Sequence, residues 1–443
     1  MNPPPNILFM ITHDTGIHLG CYGEQVKTPA LDDLASKGVK FNNNFSTAPQ
    51  CSPSRGSMLT GLPPHQNGLM GLVNRGWNLP ENNLTLPELL TNAGYHTKLV
   101  GLQHEHGDRS TLGYVDPGTK WDAPFFSRRI AKKTVKFFDK IERGKVEEPF
   151  YCKVGFFETH RPFLTGRRKR PDPEDISVPD YLPDTEEVRK ELCRFYGMLK
   201  EVDCRIGQVL EDLEKRSFAK NTLVIFTTDH GWAFPRAKCT LLDPGVHTAL
   251  IMHWPGMIEG GRTVNELSSG VDLLPTLCSI ARANMPGELG KRLEGMNVLP
   301  LASSKIVDHG EQVTPRERVF IELTHHDSGF NPMRGIRTKK WKYIRNFAPI
   351  GKKRFEIPRD IINHPSGKTY KLVNPNYHQE RPLEELYDLV HDSMESNNLA
   401  TDPSHLEILS ALRDQLMAYL ERTADPVLEG PVPEPKKRGK LIM

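Results

Sequence analysis

Several features that would point to other classes of protein are scarce in this sequence. The seven cysteines are scattered without a C-x-x-C pair, and their odd number argues against a disulfide framework or a zinc ribbon. The formal net charge is only +3, so no basic excess indicates nucleic acid as the main partner. The longest apolar runs, 223–226 and 249–252, are much too short to cross a bilayer. We therefore expect a soluble protein that binds neither nucleic acid nor a membrane.

The amino terminus also lacks the features of a secretory signal. Residues 1–5 run directly into an apolar segment, without a basic region, a hydrophobic stretch or a small-residue cleavage site. As the sequence stands, we expect a cytoplasmic protein. If a signal has been removed, the expected location is the periplasm or the exterior.

What is present is the composition and length of a large globular protein. The 443 residues are 37% hydrophobic and 26% charged, which is ordinary for folded domains. The length exceeds one small core and favours a large domain with a smaller companion. We expect an α/β domain over 1–312, a smaller α+β domain over 313–430 and a loose tail over 431–443, which is rich in Pro and Lys.

The first two thirds of the chain alternate between predicted strands and helices. Short apolar strands are predicted at 6–12, 96–100, 150–156 and 221–227. The clearest helices are predicted at 28–38 and 186–215, and a shorter one at 54–59. This order favours a large, mostly parallel central sheet flanked by helices.

Polar side chains follow each of these strands. They are His13 and Asp14, then His104, then His160, and finally Asp229 and His230. The carboxyl ends of parallel strands meet at one edge of a sheet, so we expect these side chains to lie together. Taken alone, Asp229-His230-Gly231 would be typical of a helix-capping turn. The repetition after several strands favours a shared site instead.

After about residue 310 the pattern changes. Short strands are predicted at 318–323, 334–337 and 341–346. Residues 403–422 have apolar positions at helical spacing. We expect a smaller α+β domain with a short antiparallel sheet.

The segment CSPSRGSMLTG, residues 51–61, carries the most specific pattern in the chain. On generic grounds Cys51 could be a small buried apolar residue, as we expect for most of the other cysteines. The segment resembles, however, the sulfatase signature C-x-P-S-R followed by L-T-G. The resemblance implies an alkaline-phosphatase-like α/β fold and a maturation enzyme that converts Cys51 to formylglycine. One hydroxyl of the hydrated aldehyde then attacks sulfur, and the other helps to expel sulfate. Arg55, one helical turn further on, is expected to bond this diol.

The resemblance also implies a divalent metal ion that polarises a sulfate oxygen. Sulfatases usually carry paired aspartates after the first strand and Asp-Asn or Asp-His after a later one. Asp14, Asp229 and His230 match this pattern together with the modified Cys51, whereas His13 departs from it. Calcium is the usual ion of the family, but two imidazoles shift the preference toward manganese, zinc or iron. We predict that His13 is a ligand or a direct neighbour of one.

Further donors are expected around the sulfate group. Three residues match sulfate-pocket positions of the family: His104, His160 and Lys238. The resemblance implies that His160 is a general acid or a sulfate donor and that Lys238 binds both the nucleophile and sulfate. Leu102 stands where the family has a lysine, and Gln103 or His106 is the expected substitute.

Segments beyond the signature resemble heparan N-sulfatases, or sulfamidases, over nearly the whole chain. They include GLPPHQNGL, FETHRPF and LTHHDSGFNPMRGIR. The resemblance implies a sulfated aminosugar substrate and a C-terminal domain that lines the substrate entrance. The candidate substrate-binding residues are His65, Arg161, His325, His326 and Arg334. The departures at His13 and Leu102 leave the choice between N-sulfate and O-sulfate open.

Two alternatives come from other functions. A phosphonate monoester or phosphodiester hydrolase of the same superfamily would also carry formylglycine and Asp-His metal ligands. A non-catalytic anion-binding relative is suggested by His13 and Leu102, but an intact CSPSR motif would have no purpose in it. The expected partners are a sulfated carbohydrate or small sulfate ester and the formylglycine-generating enzyme, and a homo-oligomer is left open.

Overall fold

The computed structural model describes residues 3–118, 126–303, 314–327, 329–348, 357–374, 377 and 380–435. The predicted domain boundary at 312/313 and most of the predicted tail, 436–443, lie outside these residues. Two sheets organise the described chain, one of eight strands and one of four.

The strands are β1 Asn6–Thr12, β2 Val39–Phe45, β3 His96–Gly101, β4 Phe150–Gly155, β5 Thr222–Thr228, β6 His247–Thr248, β7 Leu250–His253, β8 Arg262–Ser269, β9 Arg318–His326, β10 Gly329–Thr338, β11 Trp341–Asn346 and β12 Glu384–Asp388. The α-helices are α1 Pro29–Lys37, α2 Cys51–Thr60, α3 Pro64–Asn67, α4 Leu86–Asn92, α5 Ser127–Glu142, α6 Glu186–Glu214, α7 Asp243–Val246, α8 Leu273–Ala281, α9 Gly287–Arg292, α10 Leu299–Ala302, α11 Arg359–Ile362, α12 Pro365–Val373 and α13 Leu406–Arg422. None of the described helices is long and apolar enough to cross a membrane.

The large sheet has the strand order β3-β4-β1-β5-β7-β2-β6, and β8 pairs with β2. Strands β3, β4, β1 and β5 are mutually parallel, so their carboxyl ends meet at one edge. Strand β7 runs antiparallel to both β5 and β2. The prediction of a large, mostly parallel sheet with a smaller antiparallel sheet is confirmed.

Both faces of the large sheet are covered by apolar side chains. In β1, Ile7 and Phe9 belong to one buried cluster, with residues of α4 and α8. Leu8 and Met10 belong to the other, with residues of α5 and α6. This alternation explains why β1 is a continuous apolar run: a central parallel strand is buried on both sides.

The smaller sheet is antiparallel, in the order β12-β11-β10-β9. On one side, Ile321 and Leu323 of β9 pack in a buried cluster with Phe45 of the large sheet. On the other side, Ile336 and Tyr343 pack in a cluster with residues of α13. The small sheet is thereby held beside the carboxyl-terminal part of β2, next to the loop that leads into α2.

Candidate active site

The polar residues after β1 converge because the backbone turns sharply at Asp14. Strand alternation would turn His13 and Asp14 to opposite faces. Asp14, however, has a φ of +51°, in the left-handed region, and Gly16 has a φ of +60°. As a result, His13 Nδ1 lies 2.9 Å from Asp14 Oδ1. The turn therefore begins at Asp14 itself.

The residues after β5 join the same group. Asp229 Oδ1 accepts hydrogen bonds from the backbone amides of Asp14 and His230, each at 2.9 Å. His230 Nε2 lies 2.9 Å from Asp14 Oδ1. Parallel pairing of β1 with β5 explains this contact, because Thr12 and Thr228 are register partners at the ends of the two strands.

Cys51 is the first residue of α2, so the helix begins three residues earlier than predicted. Gln50 before it is extended and occupies the N-cap position. The Cys51 Sγ atom lies 3.4 Å from His230 Nε2, 3.8 Å from His13 Nδ1 and 3.9 Å from Asp14 Oδ1. The positive end of the α2 dipole therefore faces the group, which favours a negatively charged ligand there.

The Cys51 side chain is almost fully enclosed, with 2% of its surface exposed. Burial raises the pKa of its thiol, Lys238 opposes this, and the nearby Asp14 and Asp229 raise the pKa further, so that it lies well above its usual value. The unmodified side chain is therefore held as a neutral thiol rather than as a reactive thiolate.

Five potential metal ligands lie within 4.8 Å of one another: His13, Asp14, Cys51, Asp229 and His230. Burial would raise the pKa of Asp14, but Lys238 and the surrounding histidines hold it well below its usual value. The pKa of Asp229 is also lowered, by His13, His230 and Arg55 against the effect of burial. Two buried carboxylates and two imidazoles fit a divalent cation. The structure therefore brings all five predicted ligands into one group.

Two cations flank the carboxylates. Arg55 donates from Nε to Asp229 Oδ2 at 2.9 Å and from Nη2 to Thr12 O at 3.4 Å. Its Nη1 atom is buried and has no hydrogen-bond partner among the described residues. Lys238 Nζ donates to Asp14 Oδ2 at 2.8 Å and to Asp360 Oδ2 at 2.7 Å. Arg55 thus supports a carboxylate and keeps one donor open, whereas the sequence suggested only a contact to the nucleophile.

Two further histidines face His13. The His160 ring lies 4.5 Å from the His13 ring, and His160 Nε2 is 3.8 Å from Asp14 Oδ2. The His104 ring is 6.1 Å from that of His13. Burial, above all, lowers the pKa of His160 to about 4 and that of His104 well below its usual value. Because His160 Nδ1 contacts the carbonyl of Arg161, which can only accept, Nδ1 carries the proton and Nε2 faces the site.

The adjacent His325 and His326 point in opposite directions, as neighbours on a strand must. His326 is buried, and burial above all lowers its pKa to about 4. Asp327 opposes this, and the charges of Lys238, Asp360 and His230 also act on the ring. His325 instead contacts the carbonyl of Val432 through Nε2 at 2.9 Å. Only His326 of this predicted pair is therefore near the site.

The structure places two other predicted substrate-binding residues elsewhere. His65 Nδ1 lies 2.5 Å from Glu322 Oε2 and 3.5 Å from Asp425 Oδ2. Arg334 donates to both carboxylate oxygens of Asp425, at 2.5 and 2.9 Å. All four side chains are buried, and their charges tie α3 to the small sheet and the segment after α13. The structure thus brings His65 and Arg334 together in a network of hydrogen bonds and ion pairs with Glu322 and Asp425, and not with the group around Cys51.

Gln103 and His106, the residues expected to replace the family lysine, bond within the loop after β3. Gln103 Nε2 donates to His106 O at 2.7 Å, and His106 Nδ1 contacts Asp108 O at 2.9 Å. Both side chains therefore bond within their own loop. The buried Arg161, the remaining candidate, forms an ion pair with Glu191 and donates from Nε to Ala233 O at 2.9 Å.

Three charged residues at or next to the candidate site were not predicted from the sequence. Asp360 reaches Lys238 from α11, a segment with no motif to reveal it. Lys153 of β4 forms a buried ion pair with Glu105, which also accepts the backbone amide of His104 at 2.7 Å. A lysine inside the apolar run YCKVGF is a signal that could have been used, because buried lysines are almost always paired.

The buried ion pair of Lys153 and Glu105 acts on the site through Arg55: against the effect of burial, first Asp229 and then Glu105 raise the pKa of the Arg55 guanidinium. We expect Lys153→Met to lower the free energy of unfolding by about 3–5 kcal/mol, because Glu105 would remain as an unpaired buried charge. Adding Glu105→Gln should recover part of this loss. Urea denaturation measures both variants.

The matched control is Lys291→Met, which removes a lysine paired with Glu288 but 75% exposed. It should change the free energy of unfolding by about 0.5 kcal/mol or less. An equally small effect of Lys153→Met would contradict the structural role of the buried pair.

Comparison with known proteins agrees with this geometry. The family model described as Sulfatase matches residues 5–283, and that of N-sulphoglucosamine sulphohydrolase, C-terminal, matches 228–360. The N-sulphoglucosamine sulphohydrolase of Homo sapiens is 30% identical over 473 residues, covering 96% of this chain and 91% of that protein. An ulvan-active sulfatase of Formosa agariphila is 27% identical and is covered over 78% of its length, with 99% of this chain.

Solved structures share the fold. A 2-O GAG sulfatase superimposes with a TM-score of 0.70 at 23% identity, covering 96% of this chain and 94% of that one. A protein solved with its substrate D-glucosamine-2-N,6-O-disulfate gives a TM-score of 0.72 at 18% identity, covering 97% and 99% of the two chains. Because the Sulfatase model spans more than half of the chain and the human relative matches nearly all of it, this chain belongs to the sulfatase family of sulfuric ester and sulfamate hydrolases.

Proposed function

We propose that this sulfatase removes sulfate ester or N-sulfate groups from a sulfated aminosugar or glycan, using a formylglycine formed from Cys51. The observation that carries the proposal is the position of Cys51, at the amino end of α2 and within 3.9 Å of His13, Asp14 and His230. The names of the relatives, an N-sulphoglucosamine sulphohydrolase and an ulvan-active sulfatase, support a sulfated carbohydrate as the substrate class.

The surrounding side chains suit a tetrahedral anion beside residue 51. A hydrated formylglycine supplies two hydroxyl groups, one to attack sulfur and one to release sulfate. Arg55 offers its unpartnered Nη1, and Lys238 offers an ammonium group whose pKa is raised, against burial, by Asp14 and Asp360. These fixed donors would stabilise negative charge on the sulfate oxygens in a site closed to water.

His160 is the candidate for proton transfer at the leaving group, and it can donate there only as the doubly protonated ring, because in the neutral ring Nδ1 carries the proton and Nε2 is an acceptor. Its Nδ1 is held by the carbonyl of Arg161, so its Nε2 is the atom that faces the site. Asp14, Asp229, His230 and His13 would hold a divalent ion, which supplies positive charge beside the sulfate oxygens.

We also infer that a formylglycine-generating enzyme acts on the motif before the chain folds. Cys51 is 2% exposed, and every residue of α2 is buried in the folded protein. A maturation enzyme would have no access to the thiol after folding.

Parallel assays with N-sulfoglucosamine, an O-sulfated glucosamine, an aryl sulfate, a phosphodiester and a phosphonate monoester test the proposed substrate class. We expect the sulfated aminosugars to have the highest kcat/KM. Faster turnover of the phosphodiester or phosphonate would support the alternative hydrolase function instead.

The identity of the metal can be tested at His13, which lies 3.4 Å from Asp229 Oδ2 and 2.9 Å from Asp14 Oδ1. We expect His13→Asp to shift the preference of the site toward calcium, because a hard carboxylate replaces an imidazole. Titrating the metal-free forms of both proteins with calcium, manganese and zinc measures the order of affinity. If the order is the same in both, His13 does not select the metal.

A further inference from the structure

A cavity rich in arginine is lined by segments that adjoin residues of the candidate active site in the sequence. Its volume is about 410 Å³, within the range of small-ligand pockets. The charged and titratable side chains that line it are Arg161, Arg167, Arg170, Arg194, Glu191 and His364. Two of these residues are close in sequence to residues of the site. Arg161 directly follows His160, and His364 lies four residues after Asp360.

Among the described residues that line the cavity, the one carboxylate is already bound. Glu191 forms a buried ion pair with Arg161, and its second oxygen accepts the backbone amide of Ser366 at 2.6 Å. Its negative charge therefore neutralises Arg161 and no other arginine of the cavity.

The other three arginines have no carboxylate partner of this kind among the described residues. Within the described ranges, no carboxylate lies at ion-pair distance from Arg167, Arg170 or Arg194. The Arg170 Nε atom is buried without a hydrogen-bond partner. Burial, then the charges of Arg194 and Arg167, lower the pKa of Arg170 below its usual value. Three guanidinium groups that line one cavity without a carboxylate partner in the described chain make it suited to an anionic ligand.

We propose that this cavity binds a second oxyanion of the substrate, a sulfate or carboxylate other than the group that is cleaved. Guanidinium groups suit either anion, because their fixed N–H donors match two oxygens at once. The exposed Leu164 and the ring of Phe163 form an apolar wall on which the carbon face of a sugar ring can pack. The inference rests on the proposed function and narrows the substrate to glycans with at least two anionic groups.

The test is a double variant, Arg167→Gln/Arg194→Gln, in which both altered side chains are exposed, so that folding is preserved. Two substrate pairs are compared: glucosamine derivatives with one or two sulfates, and a sulfated disaccharide with or without a uronic carboxylate. We expect the preference for the doubly anionic member, as a ratio of kcat/KM values, to fall about tenfold in one pair or both, since two exposed charge contacts are lost. The pair with the larger loss identifies the second anion.

The matched control is Arg168→Gln, which removes an exposed arginine of the same segment that does not line the cavity. Its preference should change less than twofold. An unchanged preference in the double variant, or an equal fall in the control, would overturn the proposal. Titration calorimetry with the disulfated sugar gives a second readout without turnover: weaker binding by the double variant alone supports the cavity, and equal binding refutes it. If the parent protein hydrolyses no sulfate ester or sulfamate, the proposed function fails separately.

Discussion

Replacing Cys51 by alanine is expected to abolish turnover, with a loss on the order of 10^6-fold, as when another enzyme loses its nucleophile. The fold should survive, because Cys51 lies among polar side chains and its removal opens no apolar cavity. Cys51→Ser should be nearly as inactive, since serine has one hydroxyl group and cannot supply the second one that releases sulfate. Steady-state assays with a sulfate ester, together with thermal unfolding, measure both effects.

The buried Cys278 provides the control for this result. It is a residue of α8 that packs in the apolar cluster on one face of the large sheet, with 1% of its surface exposed. Cys278→Ala should therefore lower stability through a core cavity but keep activity. Sulfate ester hydrolysis by Cys51→Ala or Cys51→Ser at the parental rate would show that formylglycine is not the nucleophile.

Replacing Asp229 by alanine is expected to have the second largest effect. Asp229 Oδ2 bonds Arg55, and its Oδ1 accepts the amides of Asp14 and His230. Its loss removes a negative charge from the candidate metal ligands and leaves the buried Arg55 without its ion-pair partner. We expect bound metal and activity to fall to background and the free energy of unfolding to drop by about 3–5 kcal/mol. Metal analysis, kinetics and urea denaturation of one preparation measure the three effects.

Asp229→Asn separates charge from hydrogen bonding. An amide oxygen can still accept from the backbone, so this variant should be more stable than the alanine variant yet bind metal poorly. Asp184→Ala, at an exposed ion pair with Arg189, should leave metal content and activity unchanged. Parental metal content and rate in Asp229→Ala would remove Asp229 from the site.

Much of the fold was predictable because the buried strands have strong local patterns. Strand β1 has the predicted bounds, and α1 begins as predicted, with Thr28 at the N-cap position and a proline directly after it. Strand β2 was not predicted, since its asparagines interrupt the apolar pattern. The start of α2 at Cys51 was also missed, because Gln50 is not a typical capping residue.

The candidate site was predictable where a motif or a strand end marks it, and less so where tertiary contacts decide. The grouping of Asp14 with Asp229 follows from the parallel pairing of their strands. The position of His13 depends in addition on the left-handed backbone conformation of Asp14, which a strand pattern does not predict. The contacts of His65 and Arg334 with Glu322 and Asp425 could not be predicted, because these residue types suit anion binding and an ion-pair network equally well. Asp360 could not be found from the sequence, since it reaches Lys238 across 122 residues.

Mass spectrometry of the tryptic peptide 41–55 tests whether Cys51 is converted to the formylglycine that acts as the nucleophile. The protein should be produced with a formylglycine-generating enzyme, and the same preparation should be assayed with a sulfate ester. If formylglycine is the nucleophile, the sulfur and two hydrogens of Cys51 are replaced by one oxygen, and activity rises in proportion to the converted fraction. Full activity in a preparation whose Cys51 is entirely unmodified would contradict it.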